Sequence, residues 1–195
     1  MSRDVYEEIN FGELEYRFIY QCAPVLAGLK ISNLLIVNRN QAPKALKLVR
    51  NFDLSAYLLY ATLSRVVFLV FNKEKTIKYM EKNENIIFLK KLGYGETSLE
   101  TVLSEISVKY AGYMEQISDF PDELGIVLGY PTEDVLGYVE NGGKDFLLNG
   151  YWKVYGNAEE KRNLFHRFDE VTEEMIRTFI SVKNIKTVAA LYGAA

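Results

Sequence analysis

The sequence predicts a single α/β or α+β domain over residues 1–195, with one small sheet of about three or four strands covered by helices and a mainly helical second half. Three observations predict it. With 195 residues, 49% of them hydrophobic and 25% charged, the chain has ordinary globular usage and enough length to bury a sizeable core. Short apolar runs bounded by turn residues alternate with helix-patterned segments up to about residue 92. Beyond residue 97, apolar spacings of three and four dominate, each opened by a capping signal.

Taking the elements in order, Phe11, Leu14, Phe18 and Cys22 recur at steps of three and four among Glu13, Glu15 and Arg17, which predicts an amphipathic helix that Pro24 interrupts or restarts. Leu34–Val37 reads as a buried strand ending in the turn residues Asn38-Arg39-Asn40. A helix from Ala42 to Phe52 follows, with Pro43 in its first turn. Ala56–Ala61 and Val66–Phe71 are the next two strands, rich in β-branched and aromatic residues. Helices are expected from near Glu74, from Glu84 to Leu92 with a stop at Gly93, and from the capping box Thr97-Ser98-Leu99-Glu100 to Met114. Short helices over Pro121–Leu128 and Pro131–Glu140 have early prolines and acidic first turns. Gly142-Gly143 is a turn, Tyr151–Tyr155 has strand propensity, and a long helix runs from Asn157-Ala158-Glu159-Glu160 to about Val182. The apolar tail Val188–Tyr192 is expected to dock on the core.

Composition excludes several function classes. The N-terminus Met1-Ser2-Arg3-Asp4-Val5-Tyr6-Glu7-Glu8 lacks a secretory or transit pattern, so the expected compartment is the cytoplasm. A single cysteine, Cys22, forms no internal disulfide and no cysteine-rich metal site. Leu54–Phe71 would register in a hydropathy scan, but Ser55, Thr62, Ser64 and Arg65 interrupt it, and two buried strands account for it better than a membrane span. Residues 30–91 carry 12 Lys and Arg against 4 Asp and Glu, whereas residues 96–145 carry 2 against 11. Internal complementarity between these blocks is the expected outcome.

Candidate chemistry is sparse. Cys22 is a nucleophile candidate if a nearby base lowers its pKa, but its spacing with Phe18 and Leu14 suits a small core residue. His166, the only histidine, reads as an exposed helical residue beside Phe165 and Phe168. Asp119 and the candidate cation ligands Asp122, Glu123, Glu133 and Asp134 supply hard oxygen donors, though the helix dipole already favours acids there and no calcium-loop spacing is present. Gly93-Tyr94-Gly95 and Gly142-Gly143-Lys144 lack the glycines of nucleotide-binding loops and are turns; no cofactor is implied. Lys44, Lys47 and Arg50, with Lys73, Lys75, Lys78 and Lys82, form a basic block that would suit nucleic acid, but the net charge of −3 and the lack of an RNA-recognition signature argue for a solvated face. The 14 tyrosines mostly suit core edges.

Three stretches, Cys22-Ala23-Pro24-Val25-Leu26-Ala27-Gly28-Leu29-Lys30, then Phe120-Pro121-Asp122-Glu123-Leu124-Gly125 through Leu128-Gly129-Tyr130-Pro131-Thr132-Glu133-Asp134-Val135, then Gly150-Tyr151-Trp152-Lys153-Val154-Tyr155, together resemble an uncharacterised bacterial family known as a domain of unknown function. The resemblance spans most of the chain and implies no established activity. It implies histidine at the position held here by Asp122, which would pair with the cysteine matching Cys22; this chain lacks that base. It also points to a shared surface in turns bearing Pro, Gly, Tyr and Trp.

The expected function is a non-enzymatic cytoplasmic binding or regulatory module for a small molecule or a protein. Its site is expected to gather Pro24, Gly28, Pro121, Glu123, Gly129, Tyr130, Pro131, Asp134, Tyr151, Trp152, Lys153 and Tyr155. The alternatives are a thiol or metal-dependent enzyme using Cys22 or the Asp122, Glu123, Glu133 and Asp134 group, and nucleic-acid binding through residues 30–91. A homo-oligomer stays open.

Overall fold

The computed structural model describes residues 2–193. They divide into two compact units, one of residues 2–73 with 166–193 and one of residues 74–165. The architecture is α+β.

In the first unit, helices α1 (Arg3–Glu8) and α2 (Leu14–Leu26) precede strand β1 (Ser32–Asn38), a short 3-10 turn and helix α3 (Ala42–Arg50). Strands β2 (Ser55–Ala61) and β3 (Arg65–Phe71) then form a hairpin. The segment that hydropathy alone would offer to a membrane is this hairpin, closed where Thr62 N–H donates to the Arg65 carbonyl at 2.8 Å. No helix among the described residues is long and apolar enough to cross a membrane.

The sheet order is β1-β3-β2, antiparallel throughout, with Leu34 opposite Leu69 and Tyr57 opposite the same residue. A register shift between Leu58 and Tyr60 puts an extra residue in β2. Central β3 is buried from Val66 to Phe71, so it shows the continuous apolar run of a strand covered on both faces. Its residues Val66, Phe68 and Val70 join Leu35 and Val37 of β1 in a core with Leu14, Phe18, Cys22 and Leu26 of α2 and Leu48 and Val49 of α3. Each such side chain, fully buried, contributes about 1.5–3 kcal/mol.

Helix α2 does not break at Pro24. Pro24 forgoes the bond its N–H would give to the preceding turn, but only two helical residues follow it, and its own carbonyl accepts from the Lys30 N–H at 2.9 Å beyond the helix end. Edge strand β1 is blunted by α2: the Gln21 amide accepts from the Ile36 N–H at 2.8 Å and donates to the Ile36 carbonyl at 3.2 Å, replacing a neighbouring strand.

The second unit holds helices α4 (Lys73–Met80, from its second residue), α5 (Asn83–Lys91), α6 (Leu99–Met114), α7 (Leu124–Val127) and α8 (Thr132–Glu140), and a two-residue ladder of β4 (Leu148–Asn149) with β5 (Lys153–Val154). The start of helix α9 (Ala158–Val182) belongs here, whereas its part from His166 on and helix α10 (Ile185–Tyr192) belong to the first unit. There Met175 and Ile176, with Phe179 one turn on, join the first core with Val188 and Ala189, as the apolar tail predicts.

Three local expectations shift. The cap of α6 is Ser98, whose hydroxyl accepts from the Thr101 N–H at 3.4 Å, one residue later than the capping box. Helix α7 is only four residues, because Pro121 to Glu123 make i to i+3 bonds that tighten its entry. Tyr151–Tyr155 yields only two ladder residues, since Trp152 and Tyr155 are drawn toward α8.

Candidate functional site

The two later motif segments meet around the α7–α8 junction. Helix α7 ends in a Schellman turn: Gly129 has φ +74°, its N–H donates to the Ile126 carbonyl, and the Tyr130 N–H donates to the Gly125 carbonyl, each at 2.9 Å. Only glycine takes that φ without strain, and Pro131 then starts α8 in a new direction. The α4–α5 corner holds this junction. Tyr79 donates its hydroxyl to the Tyr130 carbonyl at 2.7 Å, and Thr132 donates to the Asn85 amide oxygen at 2.5 Å. Burial pushes the Tyr79 phenol up to about 12.

Asp134, 2% exposed in the first turn of α8, turns away from its own helix end. One carboxylate oxygen accepts from the Trp152 indole N–H at 2.7 Å, and the other from the backbone N–H groups of Tyr155 at 2.7 Å and Gly156 at 3.2 Å. The indole stacks on Tyr130 with centroids 4.8 Å apart and meets Phe165 edge-on at 4.6 Å. Close approaches lock the same loop: a Cβ on Gly137 would lie 2.4 Å from the Tyr155 ring, and one on Gly150 would lie 2.4 Å from the Phe165 ring. Glu133 pairs with Lys161 at 3.5 Å.

Glu123 goes elsewhere. Buried to 4% exposure, it accepts from the Tyr94 hydroxyl at 2.8 Å and pairs with Lys109 at 2.6 Å, while the Lys109 ammonium lies 4.5 Å from the centroid of the Tyr94 ring. Burial first, and the Glu123 carboxylate second, raise the Tyr94 phenol. Burial, with Glu123 and Asp119 nearby, raises the Asp122 carboxyl. Glu123, Glu133 and Asp134 therefore each have a different partner, and among the described residues no three histidines, cysteines or carboxylates converge as a metal site would need.

The first motif segment lies in the other unit, at the end of α2. Cys22 is fully buried, and burial pushes its thiol up to about 12, so it is protonated at neutral pH. Gly28, at φ +68°, turns the chain after the helix and brings Lys30 back inside, 7% exposed. The Lys30 ammonium donates to the Asn33 amide oxygen at 2.7 Å, and burial lowers its pKa to about 7. His166 is exposed and faces Glu170 at 3.1 Å one turn on.

Pro121, Glu123, Gly129, Tyr130, Pro131, Asp134, Tyr151, Trp152, Lys153 and Tyr155 thus all lie in the second unit, whereas Cys22, Pro24 and Gly28 lie in the first. The buried polar roles of Lys30, Asn85, Tyr94 and Lys109 emerge only in the fold. A buried polar residue carries no local mark when its partners are distant in the chain; Asn85 inside an apolar helical stripe was the only available signal.

The family model described as "Protein of unknown function (DUF3793)" matches residues 18–189. No curated protein and no solved structure matches the chain.

Proposed function

The chain belongs to that family of unknown function, and within it we propose a non-enzymatic protein-binding module that uses an aromatic platform on the second unit. One observation carries this reading: the polar groups of the motif segments are spent on holding a loop, while large apolar side chains of that loop and of α8 stay in solvent. Tyr138, Phe146, Leu147 and Tyr151 are 39%, 40%, 62% and 38% exposed. Lys153 sits beside two of them, with its ammonium 5.6 Å from the Tyr138 ring, 5.1 Å from the Phe146 ring and donating to the Gly143 carbonyl at 2.6 Å. Rigid aromatics beside a cation are the composition of protein-binding hot spots. The proposed setting is the cytoplasm, which the lone buried thiol supports.

The test is site-specific photo-crosslinking in cells, with the probe at Leu147 and, as a control, at exposed Lys90. A discrete adduct at Leu147 that disappears with Phe146→Ala, while Trp152 fluorescence of the folded protein is unchanged, is expected. Adducts of equal yield at both positions, or none at Leu147, would overturn the reading.

A further inference from the structure

The first unit contains an open cavity of about 400 Å³ between α2, the end of β1 and the start of β3. Its charged residues are Arg17 and Arg65, and no carboxylate lines it. Arg17 is held in place by neutral acceptors, donating to the Phe11 carbonyl at 2.7 Å and the Gln41 amide oxygen at 3.4 Å. The Arg65 guanidinium has no hydrogen-bond or ion-pair partner among the described residues, and neither has the side chain of Asn38, which sits directly across the β1–β3 ladder from it. A neighbouring cavity of the same unit shows the usual alternative, because there Glu15 pairs with Lys44 at 2.6 Å and the charges neutralise one another.

The remaining walls are mainly apolar. Phe11 and Tyr20 meet edge to face, with centroids 5.2 Å apart and planes at 89°, and Ile36 is 39% exposed on the strand opposite. Gln21 forms a wall without offering groups to a ligand, since both of its amide atoms are used by Ile36. Two guanidiniums, a spare amide and an aromatic wall make a defined chemistry. Planar guanidinium forks match the oxygens of phosphate and carboxylate, and the ring faces take a flat apolar group.

We propose that this cavity binds a small organic oxyanion, a phosphate or carboxylate carried on a flat apolar body, with Arg65 and Arg17 on the anion and Phe11 and Tyr20 against the body. The site is independent of the aromatic platform, as it uses none of the same residues. Calorimetric titration of the full chain with phenyl phosphate, benzoate and phenol tests it. Phenyl phosphate or benzoate is expected to bind, the tighter of the two identifying the headgroup, and binding is expected to weaken with added salt. Phenol, which has the ring without the charge, is expected to bind far more weakly.

Arg65→Gln is the decisive variant, because Arg65 is exposed at a strand end and its side chain makes no hydrogen bond or ion pair among the described residues. It should weaken anion binding about tenfold or more, equivalent to about 1.4 kcal/mol. Arg39→Gln is the control: Arg39 lies outside the cavity and bonds the Thr62 carbonyl at 2.8 Å. The proposal is overturned if neither anion binds, if phenol binds as tightly as the anions, if Arg65→Gln binds at wild-type strength, or if Arg39→Gln weakens binding as much as Arg65→Gln.

Discussion

Removing the Asp134 carboxylate tests the central packing argument most directly. In Asp134→Ala the Trp152 indole N–H and the Tyr155 N–H lose bonds of 2.7 Å to a charged acceptor, and the Gly156 N–H loses one of 3.2 Å. Bonds to charged groups are each worth about 1.5–3 kcal/mol, so the two short ones alone set a scale of about 3–6 kcal/mol. Water entering the vacated space recovers part of this, and relief from burying a carboxylate recovers more, leaving an expected loss of about 3–4 kcal/mol. Asp134→Asn keeps one acceptor oxygen, enough for the indole or for the backbone pair but not both, and should cost about half as much.

The chain carries its own reporter for this measurement, since Trp152 is its only tryptophan and is 8% exposed between Tyr130 and Phe165. Urea unfolding followed by tryptophan fluorescence gives the stability around the clamp, and the emission maximum of the folded protein gives the state of the indole. Asp134→Ala should lower the midpoint and red-shift the folded emission. A loss under about 1 kcal/mol with unchanged emission would show that the loop is held by packing alone and that the hydrogen-bond argument is wrong.

Three further outcomes are expected. Cys22 should resist a disulfide reagent in the folded protein and react at once in urea, because a rise from 9.0 to about 12 cuts the thiolate fraction about a thousandfold on top of burial; rapid labelling of the folded protein would contradict it. Lys30 has its folded pKa lowered from 10.5 to about 7 by burial, so the folded state binds fewer protons than the unfolded one between those values and wild-type stability rises with pH across that window. Lys30→Met removes this dependence, so its stability advantage over wild type should shrink by about 2–3 kcal/mol from pH 7 to pH 9 in parallel denaturant titrations. The Cys22 thiol stays neutral throughout that range, and a pH-independent difference between the two proteins would refute the burial of the amine. Gly137→Ala would place a Cβ 2.4 Å from the Tyr155 ring and should destabilise by about 1–3 kcal/mol despite the better helix propensity, read by the same fluorescence; a gain in stability would mean that the ring does not rest on the helix.

Periodicity and capping reveal which segments are helix or strand, because those signals are local. The strands around Leu34–Val37, Ala56–Ala61 and Val66–Phe71 and the long helix to Val182 appear where their patterns put them. The departures arise where a distant partner outvotes the local pattern. Tyr151–Tyr155 reads as a strand from its aromatic and β-branched residues, yet Asp134 captures its N–H groups and the ladder stops at two residues. Pro24 reads as a break, yet the last helical turn tolerates it. Asp134 itself reads as an ordinary first-turn acid, and only the fold reveals that its partners are Trp152, Tyr155 and Gly156. Arg17 and Arg65 carry no shared motif, and α2 lying against β1 together with the β1–β3 pairing places both on one cavity.

This division of labour bears on where function should be sought. The turns that carry the family resemblance are rich in glycine, proline and aromatics, a composition that a binding surface and a tight packing junction share. Here Gly129 serves a left-handed turn, Gly137 and Gly150 admit aromatic rings, and Tyr130 and Trp152 stack on each other, so the junction accounts for these residues before any ligand is invoked. Substituting them would damage the clamp and whatever it presents at the same time. Loss of binding in Asp134→Ala or Gly137→Ala would therefore say nothing about which groups touch a partner. Only exposed side chains with few internal duties, Leu147 on the platform and Arg65 at the cavity, can separate recognition from folding.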